Sequence, residues 1–538
     1  MRTRRRPPDA AKEALMICSP PVAPHAPHAL RPTPRSASAL RTWAPILSLV
    51  AAAWIALPSL SFARAPRTLE DRWSVVMMQD QRVGWMRSAS LEGESGEIIT
   101  EMEMRMQITR GPATIPIEID SAFHETPAGD PIRMRSTMRL GMAPVTTIYH
   151  FGDDEVRIVT EQLGRTSERV MPLPDGAWMT PGAASRHMQF QLEEGAESFT
   201  VSTIDPTVGL QVVESEFRIL DRDVVVEALG RTIPAIRWSV RQSYMPGVEQ
   251  IEYVNHQGES VRSEVNVGGM AMTILAADRE LALSELTPVE IMASTLAKPD
   301  RPIENPRRTR RAAYILSLSE GKLPDLPSVG AQRFERIDAR SGRIVTDLDA
   351  RASAPDAEAS DDVFLESSMM LDIKDPKIIE LAERACADLP AGAEHAQIAE
   401  TLRRFVSGYI DDKTLDVGFA SASEVCRTRQ GDCTEHGVLL AALLRARGVP
   451  ARVVSGLIYV DEFLGAEGIF GYHMWTQALL EVDGDMRWVD LDATLSKPSD
   501  ATHIALSHSA LSDGEMINSM AALAPLIGKL EIRIESYE

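Results

Sequence analysis

Polar and apolar side chains alternate along much of the first half of the chain, and this alternation constrains its fold more than any other feature. The clearest run is TEMEMRMQI, residues 100–108, where Met and Ile take one face and charged or amide side chains the other. A period of two is typical of a strand with one buried face. Similar runs recur from Trp73 to about Ala282, most of them bounded by Gly, Asp or Pro. We predict an antiparallel β-rich domain, a curved sheet or half-barrel, with its methionines packed in the core rather than binding copper.

The period changes in the last third of the chain. Past residue 368, apolar residues recur at spacings of three and four, which indicates helices. Asp375 and Pro376 suit the cap and the first position of one such helix. Before it, the proline-bearing and charged run RPIENPRRTRR is typical of a linker.

These patterns together predict an α+β protein with several domains. The predicted divisions are an N-terminal leader at 1–65, a β-rich domain at 66–285, a linker or small subdomain at 286–368, and an α+β domain at 369–538.

The leader has the pattern of an export signal. Several arginines precede the uncharged run WAPILSLVAAAWIALPSL, residues 43–60, and small residues follow at Ser61, Ala63 and Ala65. This order is typical of a signal peptide, although a run of roughly 20 apolar residues is also long enough for an uncleaved membrane anchor. Either alternative predicts an exported protein, periplasmic or otherwise extracytoplasmic, or anchored to the membrane.

The formal net charge of −21 bears on the partners. So acidic a chain argues against nucleic acid as a partner, although solubility alone would explain the charge equally well. We expect a protein or peptide substrate, membrane attachment only through the N-terminal segment, and neither a cofactor nor a metal. The oligomeric state is not predicted.

Removing the leader removes Cys18 and leaves Cys386, Cys426 and Cys433. An odd number of cysteines in an exported protein leaves at least one thiol outside any intramolecular disulfide. The spacing CxxC, typical of zinc sites, is absent from the sequence. One of the three thiols therefore needs another explanation.

Cys433 lies where a helix should begin. In GDCTEHGVLLAALLRARG, residues 431–448, Asp432 suits the N-cap, Glu435 completes a capping box, and the final glycine suits the helix end. Cys433 would then be the first helical residue, at the positive end of the helix dipole, where a reactive thiolate is favoured. The backbone amides there could also hold an oxyanion.

A nucleophilic thiol needs a base, and the base needs an orienting group. Asp483 and Gly484 predict a two-residue hairpin turn. With that turn, His473 and Asp492 fall on one face of two paired strands as diagonal neighbours. Asp490 lies on the same face but one pair further away, which leaves it as the reserve orienting carboxylate.

The runs GDCTEHGVLLAALLRARGVPARVVSGLIYV, YHMW and RWVDLDAT together resemble the transglutaminase-like superfamily, which has a papain-like core. The resemblance covers at least residues 420–494. It implies that Cys433 is the nucleophile, His473 the acid-base residue and Asp492 the residue that orients the histidine. One departure is Gln477, where many members carry Glu.

Other residues of the region have plainer interpretations. His436 lies one turn along the helix from the thiol and is a minor competing base. We interpret Trp475 and Trp488 as core residues beside the site. We interpret His503 and His508 as exposed polar residues, because their spacing matches no common metal motif.

The resemblance and the residues together predict an exported thiol-dependent amide hydrolase of cysteine peptidase type. The alternatives are a transglutaminase that cross-links proteins and a binding module without turnover. If a disulfide forms, Cys386 and Cys426 are the expected pair, because a nucleophile such as Cys433 stays reduced.

Overall fold

The computed structural model describes residues 66–538 except 112, 140–143, 163, 246–247, 268–269, 293–294, 513–522 and 524. The predicted leader, residues 1–65, lies outside the described residues, and Cys18 with it. Within the described part, no helix has the length and apolar character needed to cross a membrane.

The first half of the chain folds into one large antiparallel sheet. Its strands are β1 (Arg67–Met78), β2 (Gln81–Glu92), β3 (Ile98–Arg110), β4 (Ala113–Glu125), β5 (Pro131–Arg139), β6 (Val145–Phe151), β7 (Glu155–Gln162), β8 (Arg165–Pro172), β9 (Ser198–Ile204), β10 (Val212–Ala228), β11 (Arg231–Gln242), β12 (Glu249–Val254), β13 (Ser260–Val267) and β14 (Met270–Ala277). The short β15 (Val289–Glu290) adds to β3 in parallel. Helix α1 (Pro181–Glu193) connects β8 to β9, and α2 (Arg279–Ala282) follows β14.

The strand order of this sheet runs from β8 to β1 and then from β14 to β9. Two meanders are therefore joined by the pairing of β1 with β14. Among the described strands the order ends at β8 and β9, so the sheet is open and not a closed barrel. The predicted antiparallel β-rich fold is confirmed.

Methionines pack inside this sheet, as predicted. Met106, from the alternating run that forms β3, is buried against Val76, Val83 and Val289. Flexible thioether side chains fill irregular gaps between β-branched neighbours. Arg105, on the opposite face of β3, instead forms an ion pair with Asp120 of the next strand at 2.7 Å.

A second sheet joins the middle of the chain to its end. It contains β16 (Arg311–Leu318), β17 (Gln332–Arg336), β18 (Ser341–Asp347) and the C-terminal β23 (Leu530–Tyr537), in the order β17-β18-β16-β23. The region predicted as linker or small subdomain therefore contains strands that pair with the last strand of the chain. The domain boundaries themselves stay a prediction.

The third sheet and its helices position the candidate site. The sheet has the order β21-β20-β19-β22, with β19 (Ala451–Phe463), β20 (Ala466–Val482), β21 (Asp485–Leu491) and β22 (Ile504–Ser509). Its helices are the short α3 (Asp356–Ala359), α4 (Pro376–Ala385), α5 (His395–Tyr409), α6 (Ala422–Thr428) and α7 (Cys433–Ala446). Single 3-10 turns lie at Pro306–Arg308 and Asp362–Phe364.

Helix α7 lies at the centre of this region. Residues Thr434–Arg445 are all buried, as expected of a helix whose middle, residues 437–444, is apolar on every side. It packs on β19 and β20 and against α4, α5 and α6 in one core. Burial on all sides fixes the position of the first residue of α7, which is Cys433.

Candidate active site

The start of α7 has the predicted capping box. The Asp432 carboxylate accepts a hydrogen bond from the Thr434 amide at 2.9 Å, and the Glu435 carboxylate accepts one from the Asp432 amide at 2.9 Å. Gly431 has a φ of 144°, and a Cβ there would overlap the Glu435 side chain, so the turn into the helix requires glycine. Cys433 is therefore held at the positive end of the helix.

A residue of the first sheet reaches this cap. Arg110, at the end of β3, donates from Nη2 to Asp432 Oδ2 at 2.6 Å and from Nη1 to the Val417 carbonyl at 3.4 Å. Burial alone would lower the pKa of Arg110, but the attraction of Asp432 and of Cys433 outweighs burial and raises it. Arg110 precedes Asp432 by 322 residues, so no local sequence pattern could have predicted this contact.

The predicted hairpin places the base next to its carboxylate. Strands β20 and β21 pair in the predicted register, with Val482 opposite Asp485, and the turn residues Asp483 and Gly484 both have positive φ. His473 Nε2 lies 2.8 Å from Asp492 Oδ2. The diagonal contact predicted from strand geometry is therefore present.

The reserve carboxylate has a different set of partners. Asp490 Oδ1 accepts hydrogen bonds from Trp475 Nε1 and from Gln477 Nε2, each at 2.8 Å. The Gln477 carbonyl oxygen in turn accepts from Arg452 Nε at 3.0 Å. A glutamate at this position could accept from the arginine but could not donate to Asp490. Glutamine therefore suits a site in which Asp490 accepts hydrogen bonds from residues of the neighbouring strand, while Asp492 contacts the imidazole of His473.

The thiol lies beside this pair. Cys433 and His473 line the same cavity. Because Nε2 faces Asp492, Nδ1 is the ring nitrogen left for the thiol. Burial alone would lower the pKa of His473, but the attraction and hydrogen bond of Asp492, with a contribution from Cys433, raise it to about 9. An imidazolium is thus favoured at neutral pH and is lost as the pH rises through about 9.

The interpretation of His503 and His508 as exposed residues is wrong. His503 is 4% exposed, and its Nε2 lies 3.1 Å from Asp492 Oδ2. Its Nδ1 faces the Asp500 carbonyl at 3.0 Å. His508, on β22, is half-buried. The buried run of Ile504 and its neighbours draws His503 inward, and that apolar run was the signal that could have predicted it.

Two imidazoles therefore flank one carboxylate. Burial would lower the pKa of His503, but the hydrogen bonds and charges of Asp492 and Asp500 raise it to about 10. Burial would raise the pKa of Asp492, but His473 and His503 hold it well below its usual range. Asp492 is thus anionic and held from two sides.

The same three side chains have the spacing of a possible cation site. The ligand atoms of His473, Asp492 and His503 lie within 4.8 Å of one another. A histidine must be deprotonated to bind a metal, whereas the raised pKa values favour protonated rings. The arrangement therefore suits hydrogen bonding around Asp492 better than a metal.

His436 is a poor competitor as the base. Its side chain is 1% exposed, and its Nδ1 faces the Asp432 carbonyl at 2.6 Å. Burial lowers the pKa of His436 to about 4. A ring that binds a proton so weakly stays neutral at physiological pH and cannot hold the proton of a thiol.

The tryptophans and the other cysteines are structural. Trp475 and Trp488 are 2% and 1% exposed, which confirms them as core residues. The three described cysteines, Cys386, Cys426 and Cys433, are all free thiols, so the conditional pairing of Cys386 with Cys426 does not occur in this structure. Cys426 Sγ contacts the Lys377 carbonyl instead, at 3.7 Å.

Replacing His503 tests the second imidazole. We expect His503→Leu to slow turnover about tenfold or more, because Asp492 loses a donor and the imidazole of His473 is less well oriented. His503→Gln keeps a donor and should stay near the wild-type rate. In both variants the alkaline limb of the pH-rate profile should move to higher pH. The positive charge of His503 is lost, so Asp492 stabilises the His473 imidazolium alone and the pKa of His473 rises.

The control for that experiment is His508→Leu, which makes the same change at the half-buried histidine of β22. It should change neither the rate nor the alkaline limb. Equal effects of His503→Leu and His508→Leu would show that His503 contributes only to packing.

Comparison with known proteins agrees with the predicted resemblance. Residues 384–493 match the family model of the transglutaminase-like superfamily, so the chain carries a transglutaminase-like domain. An uncharacterized protein of Mycobacterium tuberculosis is 29% identical over 150 residues, which are 26% of this chain and 47% of that protein. A protein of Mycobacterium bovis, also uncharacterized, matches with the same values. The chain thus spans about half the length of the curated relatives it matches.

Two solved structures are also similar to parts of the chain. A beta-barrel-like protein with a domain of unknown function from Brucella abortus has a TM-score of 0.30 and 10% identity, covering 39% of this chain and 95% of that one. A Cytophaga hutchinsonii protein, provisionally called a cysteine protease, has a TM-score of 0.24 and 14% identity, covering 42% of this chain and 86% of that one.

Proposed function

We propose that the transglutaminase-like domain of this chain is a thiol-dependent amide hydrolase of cysteine peptidase type, with a protein or peptide substrate. The observation that carries the proposal is the arrangement of three side chains. Cys433 begins a buried helix and lines one cavity with His473, and His473 Nε2 lies 2.8 Å from Asp492 Oδ2. A nucleophile, a base and an orienting group in this order are what covalent catalysis by a thiol requires.

In the proposed first step, the Cys433 thiolate attacks the carbonyl carbon of the scissile amide. The negative charge that develops on the carbonyl oxygen is stabilised by the positive end of the α7 dipole, where Cys433 lies. The C–N bond then breaks, and His473 gives its proton to the leaving amine. The products of this step are a free amine and a thioester on Cys433.

In the second step, water attacks the thioester. Neutral His473 takes a proton from the water and returns it to the departing sulfur, which releases a carboxylic acid. Asp492 stabilises the imidazolium whenever it forms, and the raised pKa of His473 is consistent with this role. The cycle needs only water as a second reactant.

The proposal also places the protein outside the cytoplasm. Its support is the N-terminal sequence alone, with the apolar run at residues 43–60 after a basic segment. A reduced Cys433 is consistent with such a location, since a thiol used as nucleophile is not engaged in a disulfide.

Amine capture tests the proposed hydrolysis against cross-linking. A fluorescent lysine analogue is added during turnover of a peptide substrate, with Cys433→Ala as the blank. We expect the free acid as the product in all reactions with the active protein and no labelled peptide above the blank. A product that carries the amine would contradict hydrolysis and favour transamidation. No product of either kind, for any peptide tested, would favour a binding module.

A further inference from the structure

A cavity beside the thiol has a mainly apolar wall. It has a volume of about 120 Å³ and is bordered by Cys433 and His473. Its apolar lining consists of Met292, Leu415, Ile458, Val460, Phe463 and Leu495. For comparison, an apolar cavity of roughly 150 Å³ in another protein holds a benzene ring. The space therefore suits one branched or aromatic side chain.

The apolar residues of the cavity wall are held in place by packing against one another. Ile458 and Val460 of β19 are buried in one small cluster with Ile469, and Phe463 and Leu495 pack against it. This cluster is separate from the main core around α7. Side chains two residues apart on a strand share a face, so Ile458 and Val460 project to the same side of the sheet.

Both halves of the chain form the cavity. Arg110 belongs to the first sheet, and Met292 belongs to the segment that follows this sheet. Both line the cavity together with residues of the transglutaminase-like domain. Gly111, at the tip of the β3–β4 hairpin, lies against Leu415 and Leu464. The first sheet thus forms part of the wall that a substrate would meet.

The arginines of the lining already have acidic partners. Arg110 is held by Asp432, and Arg307 donates to Asp500 Oδ2 at 2.6 Å. Burial lowers the pKa of Lys413, which makes its charge more costly to keep. A charged substrate side chain would have to lose its water here, beside arginines that already have acidic partners.

One buried polar atom that faces this side of the sheet lacks a partner in the described part of the chain. It is Nε2 of His436, a residue of the cavity lining. His436 donates from Nδ1 to the Asp432 carbonyl, so the lone pair of Nε2 can accept. An acceptor matches the N–H of a peptide backbone.

We infer that this cavity binds the apolar side chain of the residue whose carbonyl Cys433 attacks, so that the substrates are peptides with a large aliphatic or aromatic residue at that position. The inference rests on the proposed function and deepens it. His436 Nε2 would accept a hydrogen bond from the adjacent backbone N–H, and Arg110 and Met292 would form the part of the wall that the first half of the chain contributes.

The test uses peptidyl chloromethyl ketones that differ only in the side chain next to the reactive group, which is Leu, Phe, Gln, Glu or Lys. The rate of labelling of Cys433 in the full chain is measured for each, and iodoacetamide reports the reactivity of the thiol itself. We expect the Leu and Phe reagents to react about tenfold or more faster than the Glu and Lys reagents.

Two variants change the cavity itself. Gly471 shares the face of His473 on β20, and a Cβ there would be in ordinary contact, 3.8 Å from Ile469, so Gly471→Val should fill the space without displacing backbone. It should slow the Leu and Phe reagents but not iodoacetamide. Leu495→Lys should slow the Leu reagent and speed the Glu reagent. Ile379→Lys, at a 41% exposed position on α4, is the control and should change neither.

The outcomes separate this inference from the proposed function. If all five reagents label Cys433 equally fast but faster than a free cysteine, or if Glu, Lys or Gln reacts fastest, the apolar specificity is wrong while the thiol enzyme stands. If no reagent labels Cys433 faster than a free cysteine, the proposed function fails and the specificity fails with it.

Discussion

Replacing Cys433 with alanine should abolish hydrolysis, by at least about 10⁴-fold, without unfolding the protein. This loss of rate is large because the Cys433 sulfur is the atom that forms the bond to the acyl group. Removing one member of a catalytic triad also removes most of the rate enhancement of the whole triad. The helix should survive, because its cap is made by Asp432 and Glu435 and not by the thiol. Turnover and the thermal unfolding midpoint are measured on the same preparation.

Cys426→Ala is the matched control. Cys426 is also a free thiol, buried on α6 and in contact with the Lys377 carbonyl. This change should leave turnover within about threefold of the wild type, since surface and peripheral core positions do not enter the transition state. Residual activity of Cys433→Ala above one-hundredth of the wild type would contradict the assignment of the nucleophile.

Exchanging Asp492 for asparagine should slow turnover about 10²- to 10³-fold, because the charge that stabilises the imidazolium is removed. The same change removes the main cause of the raised pKa of His473, so the alkaline limb of the pH-rate profile should move from about 9 to lower pH. The neutral amide has nearly the shape of the carboxylate, so the packing around it should be kept.

Asp490→Asn makes the identical change two residues earlier, on β21. Its carboxylate holds Trp475 and Gln477, and an asparagine oxygen can still accept from both. We expect a rate within about fivefold of the wild type and an unchanged alkaline limb. The opposite pattern, with Asp490→Asn the slower variant, would show that the orienting carboxylate is wrongly assigned.

The parts of the site that sequence could predict are those set by local geometry. A capping box is complete within four residues, so Asp432 and Glu435 placed Cys433 at the start of a helix. A two-residue turn sets the register of its hairpin, so Asp483 and Gly484 brought His473 to Asp492.

The parts that sequence missed depend on contacts between distant segments. His503 follows a loop after β21 and reaches Asp492 only because β22 pairs with β19. Arg110 reaches the cap of α7 from the first sheet. Strand β23 joins β16 from the far end of the chain. No spacing rule connects such residues, because their proximity is decided by how whole sheets pack.

The central claim is that Cys433 carries the acyl group during turnover. Intact-protein mass spectrometry of the reaction with a slowly hydrolysed peptide ester, quenched in acid at early times, measures this directly. We predict a mass increase equal to the acyl group, located on Cys433 by fragmentation, which disappears as the acid product forms and is absent in Cys433→Ala. Consumption of the ester with no acyl group on the protein, or with the group on another residue, would contradict the account.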